Sequence, residues 1–118
     1  MSKYHKQKTS YKDRDSLVAA LGERGYETVE VHEVATNLYG YHGDKRAEKA
    51  NVIVRRQYID TAANDLGFVK ESDGSFSAIV SDYDSCRHNT QWFKDLKKAY
   101  SENLLMKTAE KQGCRLVQ

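Results

Sequence analysis

The chain has 118 residues with 19 basic and 17 acidic side chains, and so a formal net charge of +2. Hydrophobic residues make up 39% and charged residues 31%, which suits one domain over 1–118 with a modest core and disfavours disorder. No apolar run is long enough for a membrane span and no apolar stretch follows the polar start as a secretory signal would need. Nor does the weak net charge fit a dedicated DNA-binding domain. A cytoplasmic protein is expected.

In chain order, residues 2–10 are polar and read as an edge strand. Lys12-Asp13-Arg14-Asp15 places carboxylates where a helix begins, and Leu17, Val18, Ala20 and Leu21 supply an apolar face. A helix over 15–24 follows, closed by Gly25 as its left-handed residue. Residues 27–32 alternate, with Val29 and Val31 on one side, and predict a half-buried strand. Residues 38–44 hold Gly40 and Gly43 among aromatics and read as a bent strand entering a tight turn. Residues 45–49 read as a short charged connection, and 51–56 as a strand apolar enough to be central.

Residues 64–69 read as a turn and then a strand. Asp73-Gly74 between apolar runs is the clearest hairpin signal, with residues 76–80 returning. Asn89 or Thr90 can cap a second helix running to about Lys111. Trp92, Phe93, Leu96, Ala99, Tyr100, Leu104 and Met106 form its apolar stripe, and Lys94, Lys97 and Lys98 its solvated side. Gly113 would stop it, and residues 114–117 would return as a last strand. The expected fold is α+β, in the order β-α-β-β-β-β-α-β. An antiparallel sheet of about five to six strands would carry both helices on one face.

The residues Tyr39-Gly40-Tyr41-His42-Gly43, Val52-Ile53-Val54-Arg55, Asn64-Asp65-Leu66-Gly67-Phe68 and Ile79-Val80-Ser81-Asp82-Tyr83-Asp84 occur in that order. Lys12-Asp13, Leu17 and Gly25 precede them, and Trp92-Phe93, Leu96, Tyr100 and Gly113 follow. No one of these motifs is diagnostic, but their ordered sum covers nearly the whole chain. It resembles a small uncharacterised family, domain of unknown function twelve-fifty-seven. That family includes a conserved open reading frame of algal chloroplasts and cyanobacteria, with phage relatives. The pattern departs at the start, where a usual His-Phe pair is replaced by Lys3-Tyr4 and His5 is displaced by one. The resemblance implies no activity, cofactor or catalytic residue. It implies an accessory role, with an AAA-type ATPase or a ferredoxin-like protein as partner.

Two polar constellations could carry chemistry. Asp82, Asp84 and His88 could hold a divalent metal or share a proton, since 82 and 84 would face the same way on a strand. Alternatively, acidic residues between a strand and a helix simply cap turns. Tyr39, Tyr41, His42, Lys45, Arg46, Arg55 and Arg56 could stack bases and hold phosphates, or anchor a protein partner, or merely cover the sheet edge. Asp65 joins the binding candidates, although a turn explains it first. Cys86 and Cys114 are expected as reduced thiols, with no CxxC pair for zinc.

No phosphate loop, GxSxG, HExxH or dinucleotide fingerprint occurs. No cofactor is expected, and an enzyme is the less expected class. The expected function is a small accessory or adaptor protein that binds another protein; in a phage it would be a host-interacting or counter-defence protein. The alternatives are a nucleic-acid or nucleotide binder through region 39–56, and an enzyme centred on Asp82, Asp84 and His88. Exposed edge strands also make a homodimer conceivable.

Overall fold

The computed structural model of the chain describes residues 3–112. Its elements are β1 (Tyr4–Lys8), α1 (Arg14–Glu23), β2 (Glu30–Tyr39), β3 (Lys45–Val54), β4 (Leu66–Lys70), β5 (Phe76–Ser81) and α2 (Thr90–Lys111). The five strands form one antiparallel sheet in the order β1-β5-β4-β3-β2. This is the expected α+β architecture. The return strand over 114–117 and the stop at Gly113 lie outside the described residues.

Each helix starts where its sequence can satisfy free amides. Asp13 caps α1 by accepting from the Ser16 N–H at 3.0 Å, and Gly25 follows its end with a φ of +100°. Burial pushes the Asp13 carboxyl up, but hydrogen bonds from Lys107 and Ser16 outweigh it and hold the group below its ordinary range. Asn89, not Thr90, caps α2 through the Trp92 N–H at 2.9 Å. Gly74, with φ +88°, makes the β4–β5 turn that Asp73-Gly74 predicts.

Both helices cover the same face of the sheet. Leu17, Ala20 and Leu21 of α1 and Trp92, Leu96, Ala99 and Tyr100 of α2 pack on Val52, Val54, Phe68, Ala78 and Val80. Tyr100 also reaches the start of α1, where its hydroxyl accepts the N–H groups of Lys12 and Asp13, each at 2.9 Å. The stripe predicted on α2 stops there. Leu104 and Met106 are exposed, and so is Leu105 at 70%, because that half of the helix runs beyond the sheet residues it would need to cover. Side-chain links such as Lys107–Asp13 (2.7 Å) tie it to α1.

Residues 45–49 are not a connection. They are the first half of β3, pairing with β2 from Tyr39↔Lys45 to Thr36↔Ala50. Their charges mislead because this half of the hairpin faces water on one side. Residues 55–56 leave the strand, and Arg56–Tyr58 is a short 3-10 turn.

The β2–β3 hairpin is bent at Asn51, opposite a register shift between Val31 and Thr36. The Asn51 amide donates to the carbonyls of His32 (3.2 Å) and Glu33 (3.3 Å) and accepts the Lys70 N–H (2.9 Å). Beyond the bend, Leu38 and Ala50 meet Ile53 and Ile79 in a second, smaller core on the face away from the helices. Gly67 lies beneath them. A Cβ there would stand 2.6 Å from the Ala50 Cβ and 2.9 Å from Leu38 Cδ2. Gly67→Ala is therefore expected to cost about 1–3 kcal/mol through overpacking. Ala50→Gly in the same chain should recover part of it. Urea unfolding of the single and double variants checks this; an unchanged midpoint for Gly67→Ala would refute the close packing.

Candidate functional site

The binding candidates of region 39–56 gather at one end of the sheet, around Asn64 and Asp65. Both residues lie in the turn that enters β4, and both are 1% exposed. Asp65 Oδ2 accepts the Tyr39 N–H and the Arg55 Nη1–H, each at 2.8 Å, while Oδ1 accepts the Arg56 N–H at 2.7 Å. The Tyr4 hydroxyl, reaching over from β1, donates to the Asp65 carbonyl at 2.9 Å. Its pKa is raised, first by burial and then by the Asp65 charge.

Arg55 is held from both sides. Nε and Nη2 donate to the two carboxylate oxygens of Glu30 at 2.9 Å, a bidentate fork, and Nη1 also reaches the Asn37 carbonyl at 3.1 Å. The Arg55 hydrogen bond holds the Glu30 carboxyl below its usual range, and the Glu30 bond raises the guanidinium in turn. Arg56 spends its guanidinium on the carbonyls of Ala63 (3.1 Å) and Thr61 (2.7 Å). The Arg55 guanidinium lies 5.7 Å from the centre of the Tyr39 ring, and that of Arg46 5.2 Å from the Tyr4 ring. A cleft of about 360 Å³ opens beside Tyr39, Arg55, Tyr58 and Asp65. Its charges are already neutralised from within.

Asn64 organises the other side. Its side-chain carbonyl accepts the Tyr41 N–H at 3.0 Å, which fixes the turn between β2 and β3. Its amide donates to Ser81 Oγ (3.0 Å) and to Asp84 Oδ2 (3.1 Å). On that turn Tyr41 and His42 are exposed, with ring centres 3.9 Å apart. Tyr41 also stacks on Tyr83 at 6.1 Å and 14°. Tyr41 is 41% and Tyr83 54% exposed, so the pair forms a flat aromatic patch facing water. Tyr83 is not among the binding residues expected from the sequence, because a tyrosine between two carboxylates in a polar turn carries no local sign of its contact with Tyr41.

The second constellation does not converge. Asp82–Asp84 is a 3-10 turn, not the end of a strand, so the two carboxylates point apart. Asp82 is exposed, 2.7 Å from His5 Nδ1. Asp84 is buried and spends its oxygens on the Asn64 N–H (2.9 Å) and Arg87 Nε (3.1 Å). His88 packs against the Trp92 ring at 4.6 Å with its Nε2 3.2 Å from the Tyr26 hydroxyl. Among the described residues no group of three or more His, Cys, Asp or Glu side chains is placed to hold a metal ion. Cys86 is an exposed free thiol. No helix among the described residues is long and apolar enough to cross a membrane.

The arrangement can hold surfaces in register and present aromatic rings. No curated protein and no solved structure matches the chain. The family described as "Protein of unknown function (DUF1257)" matches over residues 20–118, and the chain belongs to that family.

Proposed function

We propose that the protein is a small cytoplasmic accessory protein that acts by binding another protein. The observation that carries this reading is the exposed Tyr41–Tyr83 stack beside His42 and Tyr39. Rigid aromatic surface with hydroxyl edges is what protein interfaces favour as an anchor. It is held from behind by Asn64 and Asp65, so its geometry exists before a partner arrives. The potentially chemical groups around it, Arg55, Asp65 and Asp84, are consumed in internal hydrogen bonds.

The nucleic-acid reading is weaker on the same grounds. Tyrosines can stack bases, but the guanidiniums of Arg55 and Arg56 that would take phosphates are turned to Glu30, Asp65 and backbone carbonyls. The partner classes implied by the family resemblance, an AAA-type ATPase or a ferredoxin-like protein, are the first to test. In a pull-down from the native host, wild type is expected to retain a stoichiometric partner that Tyr41→Ser/Tyr83→Ser loses. Equal melting temperatures would show that the variant is folded. Retention of the partner by the variant would overturn the reading, and so would salt-sensitive binding of single-stranded RNA in place of any protein.

A further inference from the structure

The far edge of the sheet carries a different surface. β1 is an edge strand, paired only with β5 among the described residues. Just before it, the Lys3 carbonyl accepts the Asp82 N–H at 2.7 Å, so Lys3 and Asp82 continue the register as a hydrogen-bonded pair. Antiparallel alternation then turns the backbone N–H and C=O groups of Tyr4, Lys6 and Lys8 away from β5, toward open solvent. Alongside this edge runs a groove of about 510 Å³, between the end of β1 and the first turns of α2. Tyr11 and Phe93 give it an apolar lining; Lys8, Lys94 and Lys97 border it, together with Thr90.

The groove is electropositive throughout. None of its lining residues is acidic, and the first turn of α2, whose amides point toward this end, has no acidic residue either. Lys8 leans toward Asp73 at 3.7 Å. Lys94 and Lys97 are exposed and have no ion-pair partner among the described residues. We infer that this edge receives an extended acidic segment of a partner protein, added to β1 as a sixth strand. Alternate side chains of that segment would enter the groove, apolar ones against Phe93 and carboxylates against Lys94 and Lys97.

Charge and backbone chemistry select this occupant over two others. A second copy of β1 paired antiparallel about Lys6 would set Lys6 opposite Lys6, cation against cation, and lysine on an edge strand opposes such self-pairing. A deoxyribose-phosphate backbone offers acceptors only, which would leave the outward carbonyls of Tyr4, Lys6 and Lys8 unanswered. An extended peptide answers both donors and acceptors. The surface is separate from the Tyr41–Tyr83 patch, so the two proposals stand or fall independently.

The test uses the full chain and a short synthetic peptide of repeating Glu-Ser-Val-Ser, which puts glutamate and valine on one face of a strand, with a repeating Lys-Ser-Val-Ser peptide as control. Fluorescence polarisation should detect binding of the acidic peptide alone. Amide NMR shifts should cluster at Tyr4, Lys6, Lys8, Phe93 and Lys97. Lys94→Glu/Lys97→Glu should weaken binding about tenfold or more, since both side chains are exposed and the reversal makes like charges face each other. Lys6→Pro should weaken it as well while leaving the circular dichroism unchanged, because the lost N–H faces outward. Absence of binding by the acidic peptide, equal affinity for the charge-reversed variant, preferential binding of an oligothymidine at the same amides, or self-association through β1 would each overturn the proposal.

Discussion

Asp65→Asn is expected to destabilise the protein by about 3–5 kcal/mol, the cost of breaking a buried ion pair by removing one partner. The substitution keeps the shape of the side chain, so the loss is not one of volume. All three side-chain partners of Asp65 are donors: the Tyr39 and Arg56 amides and Arg55 Nη1. A carboxylate can accept from each. An amide must turn its NH2 toward at least one donor and leave it unanswered in a site that is 1% exposed. Arg55 keeps Glu30, so the variant should not collapse around an entirely naked guanidinium. A typical domain has only about 5–15 kcal/mol to lose, and the shift in urea midpoint should therefore be large. A change below about 1 kcal/mol would mean that Asp65 is not the centre of this network.

The second large effect is acid lability through His88. The ring is 5% exposed, its Nδ1 has no hydrogen-bond partner, and burial pushes its pKa from 6.5 down to about 4. The Asp84 charge opposes that shift and Arg87 adds to it. The folded state therefore holds His88 neutral while the unfolded chain takes up a proton once the pH falls below about 6.5. In that window the unfolded state binds more protons, so stability rises with pH and is lost as pH falls from 6.5 toward 4. The shift corresponds to about 3 kcal/mol, complete near pH 4. The depressed carboxylates Glu30 and Asp13 add their own loss only below their ordinary range. Unfolding free energies of wild type and His88→Phe should therefore diverge in slope between pH 4 and 6.5 and run parallel above it. Parallel curves throughout would sink the assignment.

The elements with local signals were legible from the sequence. Asp13 before Leu17, Gly25 after Glu23, Asp73-Gly74 between apolar runs and Asn89 before Trp92 each act through neighbouring backbone, and each lands within a residue or two of its expected place. What escaped depends on distant packing. Residues 45–49 look like a linker because a strand with one wet face has few apolar residues to show. Leu104 and Met106 fit the helical stripe perfectly well, but periodicity says nothing about where the opposing sheet ends. Gly67 reads as an ordinary glycine in a strand, and only the bent hairpin above it explains why no side chain fits.

The candidate site divided along the same line. Tyr39, Arg55 and Asp65 were singled out and do meet, but as a structural network in which Glu30 had no mark in the sequence and Asn64 was marked only as part of a turn. Asp82, Asp84 and His88 looked like a cluster because they are close in sequence. A 3-10 turn in place of a strand sends them to separate neighbours.

The strand order also bears on how the chain reaches this state. β2, β3, β4 and β5 are a meander of consecutive neighbours that can zip from local turns, whereas β1 pairs with the last strand, across most of the sequence. Closing that long loop is the slow kind of contact. β1 is therefore expected to dock late, onto a β5 already in place, where the Tyr4 hydroxyl bonds the Asp65 carbonyl. Of the two edges of the sheet, β2 and β1, the second thus belongs to the strand that closes the longest loop.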